Sequence, residues 1–168
     1  MSLKVPIIRA KPNPSGKDVY ASGAAREDQL LGEWVDLKNI GNTVISLPLV
    51  HLCHTEFNQS CSPTTKYQKY WSGNYGELLE PGQIVRVHTG KRAYASLMNA
   101  EDRAGVSLHA YADRGTFVLN NKCGDLISVW RDPKNWTIVD KAYYEPYPPE
   151  GAILKRSGDK LVPQYSYI

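Results

Sequence analysis

The chain has 168 residues, 42% of them hydrophobic and 22% charged, which is ordinary globular usage and enough apolar material for one core. Its net charge of +3 rests on 20 basic and 17 acidic side chains, too even a balance to mark a nucleic-acid binder by charge alone. No apolar run is long enough to span a bilayer as a helix, and no secretory n-region and h-region open the chain.

Residues 5–10 form a short apolar run that stops at Lys-Pro-Asn-Pro-Ser-Gly. Residues 18–31 are polar and loop-like, with AAREDQLL able to make one helical turn. In 33–38, Val35 and Leu37 fall on one face while Trp34, Asp36 and Lys38 fall on the other, the pattern of a half-buried strand with Asp36 toward solvent. Glu33 and Asp36 would share a face on a helix but diverge on a strand, so they form no acid–base pair. Glu33 is expected to turn toward loop amides at the strand's start.

Asn39-Ile-Gly-Asn42 reads as a turn, and Thr43–Leu47 as a second strand that Pro48 confines to an edge or bend. Val50 and Leu52 alternate with His51 and Cys53 in a third. The polar stretch 58–76, holding Tyr67, Tyr70, Trp71 and Tyr75, is expected to be a long loop. Glu80-Pro-Gly-Gln83 suits a type II turn before a strand at Ile84–His88, with Val85 and Val87 inward. Residues 89–113 read as a second excursion with a short helix in ASLMNAEDRA. Strands are expected at 116–119, 126–130 and 136–139, with turns at 120–125 and 131–135.

From Tyr143 the chain is rich in tyrosine and proline, and each proline removes a ladder donor. The expected organisation is a β-domain over 1–142 with an extension, 143–168, laid over it and ending in a short strand or arm. About seven short strands with regular turns favour an all-β antiparallel sandwich first and a barrel second.

The three cysteines, Cys53, Cys61 and Cys123, exclude a disulfide-dense scaffold. One bridge, with Cys53–Cys61 the sequence-local choice, and three free thiols are both open readings. His51, Cys53, His54 and Cys61 hold metal-ligating types, but their spacing matches no zinc motif, so no metal or other cofactor is expected. His88, His109 and Asp113 permit a small-hydrolase reading, yet no nucleophile elbow, HExxH or P-loop accompanies them. The more productive reading is a non-catalytic binding module. Eleven tyrosines against two phenylalanines suit interfaces, where one end of the ring is wet. The candidate binding residues are Tyr70, Trp71, Arg86, Lys91 and Arg92. Lys66 and Lys69 beside aromatic rings make weak, salt-dependent nucleic-acid binding the alternative.

Three blocks in order carry a resemblance. They are Glu33, Trp34, Val35, Leu37, Asn39 and Gly41; then Leu79, Pro81, Gly82, Thr89 and Gly90; then Asn120, Asn121, Gly124 and Asp125. Together they resemble the lamin-tail domain, found in nuclear lamins and in many bacterial proteins. The resemblance covers roughly 5–140 and departs from the family pattern at Leu49-Val50 and at Cys123. It implies an immunoglobulin-like β-sandwich of a bacterial member. It further implies no catalysis, protein or surface-polymer partners, and a secreted or cell-surface setting.

Overall fold

A computed structural model describes residues 3–131 and 137–164. The strands are β1 (Ile7–Lys11), β2 (Trp34–Lys38), β3 (Ile45–Ser46), β4 (Val50–Phe57), β5 (Pro63–Ser72) and β6 (Leu78–Leu79). They continue as β7 (Ile84–His88), β8 (Leu108–Tyr111), β9 (Asp125–Arg131), β10 (Thr137–Tyr144), β11 (Leu154–Ser157) and β12 (Lys160–Pro163). Two short α-helices, α1 (Glu27–Gly32) and α2 (Ala100–Arg103), lie in the connections. No helix among the described residues is long and apolar enough to cross a membrane.

Ten strands form one nearly closed sheet in the order β5-β4-β9-β10-β12-β11-β1-β2-β7-β8, and β3 and β6 pair separately. The protein is thus all-β with a barrel-like sheet. The alternation read from the sequence supplies its interior. Val35 and Leu37 of β2, Val85 and Val87 of β7, Leu52 of β4, and Ile127 and Val129 of β9 meet in one core cluster. The type II turn forms as expected: Gly82 takes φ +83°, and the Gln83 amide returns to the Glu80 carbonyl at 3.0 Å.

Four expectations are corrected, the last of them at Asp36 below. First, 58–76 is not a long loop, because β5 occupies most of it. Leu52 pairs with Trp71 while Cys53 pairs with Lys69, so Tyr70 is an extra residue and two consecutive rings turn inward. That bulge erases the period-two signal. Second, β8 pairs in parallel with β7 inside the 89–113 excursion, whereas 116–119 forms no strand. Third, the tail is not an appendage. β10 runs through the 142/143 boundary, and the β11–β12 hairpin joins β10 to β1. Arg156 clasps this junction, donating to the Ile7 carbonyl at 2.9 Å and to Asp140 at 2.7 Å. The expected strand at 136–139 falls within β10 from Thr137 onward; the turn at 131–135 lies, after Arg131, outside the described residues.

The outer face of β2 is buried too. The excursion folds back over it, so Asp36 is fully enclosed instead of facing solvent. Arg86 answers it with a two-pronged pair, Nε to Oδ1 at 2.8 Å and Nη2 to Oδ2 at 2.9 Å, and Arg9 adds a third bond. The Arg86 guanidinium lies 3.6 Å from the Trp34 ring centre, and its Nη1 donates to the carbonyls of Asp102 and Ala104. Asp102 accepts from Trp34 Nε1 and from Lys11. This polar layer fastens α2 to the sheet.

Candidate functional site

The sheet ends on β5 at one side and β8 at the other, and the chain leaving β8 crosses the opening between them. Three backbone bonds seat that crossing segment on the end of β7. They run from Ala112 to His88, Asp113 to Gly90 and Arg114 to Thr89. Arg114 then reaches the far side, donating from Nη2 to the Tyr70 carbonyl of β5 at 2.9 Å. Beside this bridge lies a groove of about 360 Å³, bordered by Thr64, Gln68 and Lys69 of β5 and by Thr116, Phe117 and Asn120 of the crossing segment. His54, Tyr70 and Val118 also line it.

Two buried acids hold the crossing segment in place. Glu33 accepts from the amides of Val118 and Leu119 and from the Thr89 hydroxyl. Burial pushes its carboxyl up to about 8; these three donors oppose that rise, and Asp125 adds to it. Asp125 accepts from the amides of Thr55, Asn120 and Leu126, from the Asn120 side chain, and shares a 3.2 Å bond with His54 Nδ1. Gly124 makes this hub possible. It sits at φ +67°, where a Cβ would come 2.3 Å from the Tyr144 carbonyl. Burial raises the phenols of Tyr70 and Tyr144 well above the usual range, so both stay neutral hydroxyls.

A disulfide, Cys61–Cys123, ties the β4–β5 turn to the turn before β9. The sequence-local choice Cys53–Cys61 is therefore corrected: Cys53 is a free, buried thiol. Cys53 and Cys61 are near in sequence, but β4 carries Cys53 into the sheet while Cys61 stands at the loop tip. Burial lifts the Cys53 thiol to about 11, so it is not a nucleophile at neutral pH.

The charged margin of the groove is mixed, two cations against the exposed carboxylate of Glu56. Lys69 and Arg114 line it, and the Lys91 ammonium reaches the neighbourhood of Gly115 on the crossing segment. Arg92 stands exposed, its guanidinium 5.0 Å from the Tyr111 ring centre.

Of the five candidate binding residues, Lys91 and Arg92 lie at the surface near the seam. Tyr70 and Trp71, each 4% exposed, belong to the core, and Arg86 at 2% belongs to the polar layer. Their choice is corrected: the two rings sit in a polar, aromatic stretch that looked like a loop and is a bulged edge strand, whereas Arg86 is covered by the excursion that carries Asp102 and Ala104. Sequence reading missed His54, Arg114 and Asp125 as parts of one site. The NNKCGD turn carried a signal, since an Asp that closes a turn accepts nearby amides.

The other constellations resolve differently. His88 donates from Nδ1 to the Leu31 carbonyl at 2.6 Å, which leaves Nε2 to accept from His109 Nδ1 at 2.8 Å. Burial lowers His88 to about 3, so at neutral pH it is a neutral packing residue. His51 bonds Ser72, His54 bonds Asp125 and Cys61 is bridged; among the described residues no group of three could hold a metal ion. A larger hollow, about 460 Å³ at the 39–49 turn, is lined mainly by apolar and uncharged side chains with Lys4 and Arg131. Compared with known proteins, the chain matches no family model and no curated protein.

Proposed function

We propose that this protein is a non-catalytic binding module of immunoglobulin-like sandwich architecture, related to the lamin-tail domain, that engages an anionic partner at its seam. The observation that carries the reading is the groove between β5 and the crossing segment, polar within and lined by Lys69 and Arg114 against the single acid Glu56, with Lys91 near Gly115 beyond it. Two four-strand halves, β5-β4-β9-β10 and β1-β2-β7-β8, support the sandwich, since both send side chains into one core. The bridge between Cys61 and Cys123 supports an oxidising, secreted or cell-surface setting. His88, buried and held by Leu31 and His109, supports packing over hydrolysis.

The test is a titration against polyglutamate at rising salt. Binding is expected, weakening as salt screens the exposed charges. Lys69→Glu with Lys91→Glu should weaken it roughly tenfold, the cost of reversing two charges at a polar rim. Unchanged affinity in that double variant would sink the reading. Stronger binding to single-stranded DNA than to polyglutamate would favour the nucleic-acid alternative.

A further inference from the structure

The seam is also a missing-strand position. β5 pairs with β4 along one side only, and among the described residues no strand pairs along its other side. It is ten residues long, the longest strand among the described residues, and the groove runs beside it. The crossing segment does not supply the missing ladder, because the amides of Val118 and Leu119 are turned to Glu33. A free edge of this kind offers backbone donors and acceptors to an added strand.

We propose that the occupant of the seam is an extended acidic segment of a partner protein, added as a strand along β5. This rests on the binding-module reading and goes further by naming the mode and the chemistry. Charge selects the partner. The segment PTTKYQKYWS carries Lys66 and Lys69 and no acid, and Arg114 faces it across the groove. A second copy of the chain would lay a lysine strand on a lysine strand, and like charges brought opposite one another repel. An acidic strand meets Lys69 on one wall and Arg114 on the other, two cations against the one lining acid, Glu56. Side chains alternate along an added strand, so every second residue points toward the groove. Acids belong at those positions. Pro63, the bulge at Tyr70 and a further irregularity between Thr65 and Gln68 limit regular pairing to short stretches of β5.

The experiment uses the full chain and a short fluorescent peptide alternating glutamate with valine. A second peptide of the same sequence carries N-methyl groups on alternate amides, which removes backbone donors and leaves every charge in place. The parent peptide should bind saturably. N-methylation should weaken it roughly tenfold or more, as one or two lost hydrogen bonds require. Lys66→Glu with Lys69→Glu should do the same, with the variant's thermal melt confirming its fold. Equal binding of both peptides would overturn strand addition and leave the anionic reading standing. No binding of the parent peptide, with polyglutamate still bound, would also overturn it; failure of both ligands would remove the anionic reading as well. A chain that self-associates and is not dispersed by the peptide would show that a second copy takes the edge instead.

Discussion

Glu33 and His88 titrate in opposite senses, and the pair sets how stability depends on pH. Glu33 holds its proton to about 8 in the fold, against an ordinary value of 4.5. Between those values the folded chain carries a proton that the unfolded chain has released, so this contribution is full below about 4.5 and is lost as pH rises toward 8. His88 falls to about 3 from 6.5. The unfolded chain takes up that proton first, so its contribution is present above 6.5 and is lost as pH drops toward 3. Burial bends His109 in the same direction as His88. The two slopes oppose each other between 4.5 and 6.5, and above 6.5 the Glu33 slope is the one of the two that remains. Melting temperature is therefore expected to fall from pH 6.5 to 8. Glu33→Gln should melt lower throughout, because its amide nitrogen meets the donors that Glu33 now accepts from. Its melting curve should be level across that interval; a retained slope would show that another group is responsible.

At the scale of elements, the disulfide and β5 decide how rigid the seam is. Cys61 and Cys123 close a loop of 62 residues, so the bridge should contribute about 4 kcal/mol by restricting the unfolded chain. Cys123→Ser is expected to lower the unfolding free energy by about that much in urea melts, with reductant having little further effect on the variant. Legibility in the sequence followed the same elements. β2, β7 and β9 were readable because Val35 and Leu37, Val85 and Val87, and Ile127 and Val129 alternate against one core. β5 was not, because its bulge sets Tyr70 and Trp71 side by side and its free edge is dressed in Thr, Lys and Gln. Asp36 was misplaced toward solvent because strand alternation tells two faces apart but not whether a distant excursion covers the second. Glu33 was read rightly as a receiver of loop amides, though the loop in question, 118–119, lies far along the chain. Of the site, Lys69, Lys91 and Arg92 were legible; the Arg114 bridge and the His54–Asp125 hub depend on contacts between distant segments that no local pattern encodes.

For the whole molecule, closure is the governing feature. The β11–β12 hairpin stands between β10 and β1, with Leu154 and Leu161 buried beneath it. Deleting residues 152–164 should leave β1 and β10 with open edges and uncovered apolar surface. The expected result is aggregation, seen as early elution in size-exclusion chromatography and loss of a cooperative melt. A monomeric, cooperatively melting truncation would show that the two halves of the sheet hold without the hairpin.

That same hairpin has a meaning in time. β1 is among the first strands made, and its neighbour β11 is among the last, so an edge laid down early waits for most of the described chain before it is covered. Arg9 must find Lys155, and Ile7 must find Asp140, across nearly the full span between them. Contacts of such long reach are slow to form. The edges of β1 and β10 are therefore expected to stay open during synthesis until the hairpin docks and Arg156 reaches Asp140.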